Sequence, residues 1–197
     1  MARTVFFSFH YQRDIFRVQQ VKQHYVAKGN YTAAGYFDGS LEEKAKREGD
    51  QAVKGLIDRG LIGASVLCVL IGAETYSRRW VAYEILKAVE LGMGVLGIRI
   101  HQLKDTRTGL ADVAGTSPFE LVGYGMKNGK RQPMIHYSDG WKDAPYLSPV
   151  NGDPAPYLVG KDKPVFSSLF DVHDWVNDDG YNRFDTWVEA VARQAGR

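Results

Sequence analysis

The sequence predicts an α/β fold of the flavodoxin-like kind, a central parallel sheet with helices on both faces. Three observations predict it. Short β-branched and aromatic runs at residues 4–9, 65–71 and 95–100 read as strands. Segments with apolar residues three or four apart lie between them and read as helices. The run at 65–71 is apolar at every position but its first, which suits a strand covered by helices on both sides. Strand and helix in alternation imply parallel pairing, because parallel neighbours need a crossover.

The first strand is carried by Val5, Phe6 and Phe7. A helix follows from about Asp14, with Ile15, Val18, Val21 and Tyr25 on one face. Asp14 is a candidate cap for its start and Gly29 for its end. Residues 33–37 form a weaker strand. Ser40 and Glu43 have capping-box spacing, in which hydroxyl and carboxylate satisfy each other's free backbone N–H groups. The helix they introduce runs towards Arg59 on Ala52, Val53, Leu56 and Ile57, with Gly49 and Asp50 as an interruption. After the strand at 65–71 comes a helix at 78–91 with Val81, Ile85, Ala88 and Val89 as its core stripe and Gly92 as its stop. Residues 101–163 are rich in Gly, Pro, Asp and Tyr and nearly without periodicity, so they read as a loop-rich elaboration, functional or packed. Within them residues 133–137 are a candidate fifth strand. Phe184, Trp187, Val188 and Val191 mark a final amphipathic helix. The expectation is a single domain over 1–197, its core at about 4–100 plus a later strand and the C-terminal helix.

Composition excludes several functions. The 197 residues carry 25 Lys plus Arg and 23 Asp plus Glu, a net charge of +2. That gives no broad basic field for nucleic acid or an anionic membrane. Cys68 is the only cysteine, so neither an internal disulfide nor a Cys-rich metal site is available; it reads as a small buried hydrophobe. The 5 His are scattered without helical pairing, and no metal site is expected. The longest apolar run, 61–73, is short of the roughly 20 residues that a membrane span needs. No secretory pattern opens the chain, so a cytoplasmic location is expected and the sequon at Asn30 reads as incidental. A dinucleotide Gly fingerprint, a phosphate-binding P-loop and a nucleophile elbow are all absent from the sequence.

Candidate chemistry gathers where strands end, since ligands of open α/β sheets bind at the carboxyl edge. Strand one ends in Ser8, Phe9 and His10, polar groups beside possible stacking surfaces; taken alone, a plain turn and an ordinary surface histidine are the simpler reading. Strand two leads to Asp38, a candidate acceptor for a ribose or a cationic ring, or a turn-stabilising carboxylate. Strand three leads through Ser77 to Trp80 and Glu84, which stand four apart on one helix face. Glu84 borders the buried stripe of Val81 and Ile85, and a half-buried carboxylate favours a cation or hydroxyl groups beside it. A solvated helix glutamate is the plainer alternative.

Together these residues resemble the Toll/interleukin-1 receptor (TIR) domain family. Ser8-Phe9-His10 stands where that family has a Ser-Tyr-Arg-like tripeptide, Asp38 where it has the Asp that begins the loop after strand two, and Ser77 then Trp80-x-x-x-Glu84 where it has its Ser and Trp-x-x-x-Glu. This match covers about residues 4–100. The segments at 4–12, 68–72, 78–85 and 174–182 look, over nearly the whole chain, like the TIR proteins of the Thoeris antiphage defence system. The resemblance implies a bacterial enzyme that cleaves NAD+ at the nicotinamide–ribose bond and makes a cyclic ADP-ribose isomer as a signal for a separate effector protein. It implies Glu84 as the catalytic residue and Ser8, Phe9, His10, Asp38, Ser77 and Trp80 as substrate-binding. NAD+ is then the substrate, with no further cofactor. A phage-derived trigger and assembly into a homo-oligomer on activation are also implied. His10 departs from the family's basic residue, which weakens any phosphate contact there. The alternatives are a non-catalytic TIR scaffold and, more distantly, a flavodoxin-like nucleoside transferase.

Overall fold

The computed structural model describes residues 3–27, 31–35 and 47–197. The readings of Gly29 as a helix stop, of Asp38, and of Ser40 and Glu43 as a capping box lie outside these residues. The chain runs β1 (Arg3–Ser8), α1 (Tyr11–Ala27), β2 (Tyr31–Gly35), α2 (Asp50–Leu61), β3 (Val66–Ile71), α3 (Arg79–Glu90) and β4 (Gly94–Arg99). Then come β5 (Val122–Lys127), β6 (Lys130–Tyr137), β7 (Gly140–Asp143), β8 (Val172–Asp174) and α4 (Gly180–Gln194). The main sheet has the order β2-β1-β3-β4-β8, and every pair in it is parallel. This is the flavodoxin-like order, with its switch point between β1 and β3.

Alternation along the strands divides the core into two layers. Val5, Phe7, Val66, Cys68, Leu70, Leu96 and Ile98 face α1 and α4, where Val18, Val21, Tyr25, Phe184 and Val188 meet them. Phe6, Leu67, Val69, Ile71 and Val95 face α2 and α3. All six residues of β3 are buried, as the run apolar on both faces predicts. Each such side chain removed from water contributes about 1.5–3 kcal/mol, so β3 is the axis of the fold. Cys68 is fully buried in this layer. The interruption at Gly49 is real: Arg47 and Glu48 are helical, Gly49 adopts φ 96, and α2 starts at Asp50. Gly92 closes α3 with φ 64.

Two expectations are corrected. Residues 133–137 do not extend the parallel sheet. They lie in β6, which pairs antiparallel with β5 and β7 in a second sheet, and the fifth parallel strand is β8. A short apolar run identifies a strand but not the partner it pairs with. Asp14 does not cap α1 either. The helix begins three residues earlier, and Asp14 sits inside its first turn with its N–H donated to the His10 carbonyl at 2.9 Å.

The stretch from 101 to 163 is more ordered than its lack of periodicity suggests. The β5–β6 hairpin turns at Asn128 and Gly129 with φ of 51 and 72, the left-handed geometry of a two-residue Asn-Gly turn. Phe119, Val122, Tyr124, Ile135, Tyr157 and Leu158 are buried in the same cluster as the α3 side chains. Arg13 holds Asp112 through both oxygens at 2.8 and 2.9 Å, and Arg17 donates to the Leu103 and Leu110 carbonyls at 2.8 and 3.2 Å. These bonds bind the start of the elaboration to α1.

Candidate active site

The carboxyl edge of β1 meets the first turns of α3 at the switch point. A cavity of about 510 Å³ opens there, within the size range of small-molecule sites. Phe9, His10, Ser77, Trp80 and Glu84 all line it, so one place receives five of the residues singled out in the sequence. Ser8 is buried just beneath it, and its hydroxyl donates to Glu84 Oε2. Asp38 is the remaining candidate and lies outside the described residues.

Helical spacing explains the position of Glu84. Val81, Ile85, Ala88 and Val89 take the core-facing stripe, and residue 84 falls at its edge. The residue is only 7% exposed. A carboxylate that deep costs free energy unless donors or positive charge stabilise it. Ser8 supplies one donor and fixes the orientation of the group. The alternative of a solvated helix glutamate does not describe this side chain.

Trp80 is held rather than loose. Tyr146 stacks on it with ring centres 5.7 Å apart and planes 18° from parallel. The Tyr83 ring meets it edge-on at 5.7 Å, and the Arg79 guanidinium lies 5.0 Å from its ring centre. Arg79 in turn grips Asp50 at 3.0 and 2.5 Å, and the Tyr146 hydroxyl donates to the same carboxylate at 2.6 Å. The Tyr146 bond and then the Arg79 bonds pull the Asp50 carboxyl below its ordinary value. Tyr146 adopts φ 66, an uncommon backbone state for a residue with a side chain, which the contacts to Trp80 and Asp50 stabilise.

Around His10 the site passes into an ion network. His10 Nδ1 is 3.9 Å from Glu74, and Glu74 also pairs with Arg13. Ser77 donates its hydroxyl to the Glu74 carbonyl at 2.9 Å, so it shapes the turn into α3 as well as lining the cavity. Among the described residues no cluster of His, Cys, Asp and Glu is arranged to hold a metal ion.

Asp50, Arg78, Arg79 and Tyr146 are the parts of this site that sequence reasoning missed. The Arg78-Arg79 pair before Trp80 is a signal, since two cations at a helix start oppose the helix dipole and call for a negative partner. Tyr146 had none, because its place depends on how the elaboration folds back over α3.

The sheet order, the switch-point cavity and the Trp80/Glu84 pair define a TIR-like α/β domain. Comparison with known proteins narrows this. The profile of the family described as "Thoeris protein ThsB, TIR-like domain" matches residues 6–105. A protein of Bacillus cereus (strain MSX-D12) that bears the name "Putative cyclic ADP-D-ribose synthase ThsB1" is 47% identical over 193 residues, covering 95% of this chain and 100% of its own length. The chain belongs to the Thoeris ThsB family of TIR-like proteins. Among the described residues no helix is long and apolar enough to cross a membrane.

Proposed function

We propose that this chain is an NAD+-cleaving enzyme of antiphage defence that releases nicotinamide and closes the remaining ADP-ribose into a cyclic isomer. The observation that carries the reading is Glu84, a buried carboxylate oriented by Ser8 in a cavity it shares with Trp80. The name of the Bacillus cereus relative, a cyclic ADP-D-ribose synthase, supports the product class.

The chemistry asks little of the protein at the leaving group. Nicotinamide leaves as a neutral ring, because the electron pair of the breaking C1–N bond cancels its positive charge. The demand falls on the ribose, which develops oxocarbenium character. Glu84 stabilises that charge and holds the ribose hydroxyls, and electrostatic stabilisation of this kind is the largest contribution in many enzymes. An attacking hydroxyl or ring nitrogen from the adenosine half then forms the new bond to C1. Where that group loses a proton, Glu84 accepts it. Trp80, clamped between neighbours, excludes water from one side and so favours internal attack over hydrolysis. Phe9 and His10 form the wall at the β1 end. The cyclic product acts on a separate effector protein, a phage-derived component triggers the enzyme, and activation assembles copies of the chain.

The test measures nicotinamide and cyclic product by mass spectrometry after incubation with NAD+, in buffer and in lysate from phage-infected cells. Glu84→Gln is expected to lower nicotinamide release by roughly 100-fold or more. Equal turnover by both proteins would remove Glu84 from the catalytic role. Absence of turnover by the wild type under both conditions would favour the scaffold reading.

A further inference from the structure

We propose that Arg78 anchors the diphosphate of the dinucleotide. This rests on the reading of the cavity as an NAD+ site. The argument starts from the charged side chains that line it: His10, Asp50, Arg78, Arg79 and Glu84. Asp50 and Arg79 neutralise each other in a two-bond pair, with Tyr146 as a third member. Glu84 is engaged with Ser8. The His10 ring sits 3.9 Å from Glu74, which itself pairs with Arg13, so His10 belongs to that network. Arg78 differs from all of these. Its guanidinium has no hydrogen-bond or ion-pair partner among the described residues, and it is exposed at the cavity.

A dinucleotide brings two negative charges into this space, and the uncommitted cation is the group that matches them. Arginine suits the task because its planar fork bonds two phosphate oxygens at once. The spacing also fits. Arg78 is the residue just before α3, with extended backbone at φ −88 and ψ 112. Glu84 follows six residues on, roughly 9 Å along a helix axis. That span accommodates one ribose and its 5′ linkage, so a ribose held at Glu84 sets its diphosphate beside Arg78. No side chain caps the start of α3, and the positive end of the helix adds to the attraction.

Binding separates this proposal from the reading beneath it and requires no turnover. Two probes are titrated against wild type, Arg78→Ala and Arg78→Lys: ADP-ribose, which keeps the diphosphate, and nicotinamide riboside, which lacks it. Arg78→Ala is expected to weaken ADP-ribose about 10- to 100-fold, as the loss of charged hydrogen bonds does, and to leave nicotinamide riboside unchanged. Arg78→Lys restores part of the loss. Superimposable circular dichroism and thermal melts verify that the exposed substitution leaves the fold intact. Unchanged ADP-ribose affinity overturns the role of Arg78 while the NAD+ site stands. An equal fall for both probes also overturns it, because the effect is then not directed at phosphate. If the wild type binds neither probe, the reading of the cavity itself falls, and Arg78 with it.

Discussion

Replacing Asp14 by Asn is expected to make the protein more stable at neutral and alkaline pH, although it removes a charged partner of two arginines. Asp14 is fully buried in the first turn of α1, and neither carboxylate oxygen has a hydrogen-bond partner. The nearest cation, Arg17, is 3.6 Å away. Burial is the largest influence and raises the carboxyl from 3.8 to about 6, against the smaller attractions of Arg17 and Arg13. The difference between 3.8 and about 6 corresponds to about 3 kcal/mol of cost to the folded state when the group is charged. The sign follows from proton binding. Between those two values the folded state holds a proton that the unfolded state lacks, so this group's contribution to stability rises as pH falls from 6 towards 3.8. Above 6 the full cost is present. Asn keeps the shape of the protonated acid without the charge. After allowing for the lost attraction to the arginines and for a buried amide, a gain of about 1–2 kcal/mol at pH 8 is expected, shrinking towards zero near pH 4.5. Urea unfolding followed by tryptophan fluorescence at several pH values measures it, and the difference between the two proteins cancels the other carboxylates. Asp112 acts in the opposite sense but outside this window, since its bond to Arg13 holds it near 2. A variant less stable than wild type at pH 8, or a difference that does not change with pH, would refute the claim that burial dominates at Asp14.

Two further outcomes follow from close contacts. An added Cβ at Gly72 would stand 2.2 Å from the Asp14 carboxylate, so Gly72→Ala should cost at least about 2 kcal/mol in thermal or urea unfolding. The same change in an Asp14→Ala background should cost clearly less, and equal costs in the two backgrounds would exclude that contact as the cause. Tyr146→Ala removes the ring stacked on Trp80 and the hydroxyl bonded to Asp50. Acrylamide should then quench the Trp80 fluorescence more strongly, an increase that a Trp80→Phe control abolishes; unchanged quenching would show that Tyr146 does not shield the indole.

Much of the scaffold is legible along the chain because its causes are local. β3 is an apolar run and is buried at every position. The stripe of Val81, Ile85, Ala88 and Val89 places α3 and sets Glu84 at the edge of the core. Phe184, Trp187, Val188 and Val191 place α4 in the same way. The elaboration was less legible. Its strands pair with one another, and their apolar residues pack on α3 rather than repeating at one period. One local signal there was available, the Asn128-Gly129 turn that joins β5 to β6.

The sequence by itself determined the flavodoxin-like class, the neutral small-ligand character and the shared helix face of Trp80 and Glu84. Each depends on composition or on spacings of a few residues, over which backbone geometry is fixed. Tertiary structure alone decided the rest. The Ser8–Glu84 bond joins residues 76 positions apart, and the Tyr146–Asp50 bond joins residues 96 apart. No local pattern encodes such meetings, because they depend on how layers pack once every element has formed. For the same reason Asp14 reads along the chain as a helix cap and in the fold as a buried carboxylate, since its surroundings come from Gly72 and the β3 edge as well as from its own turn.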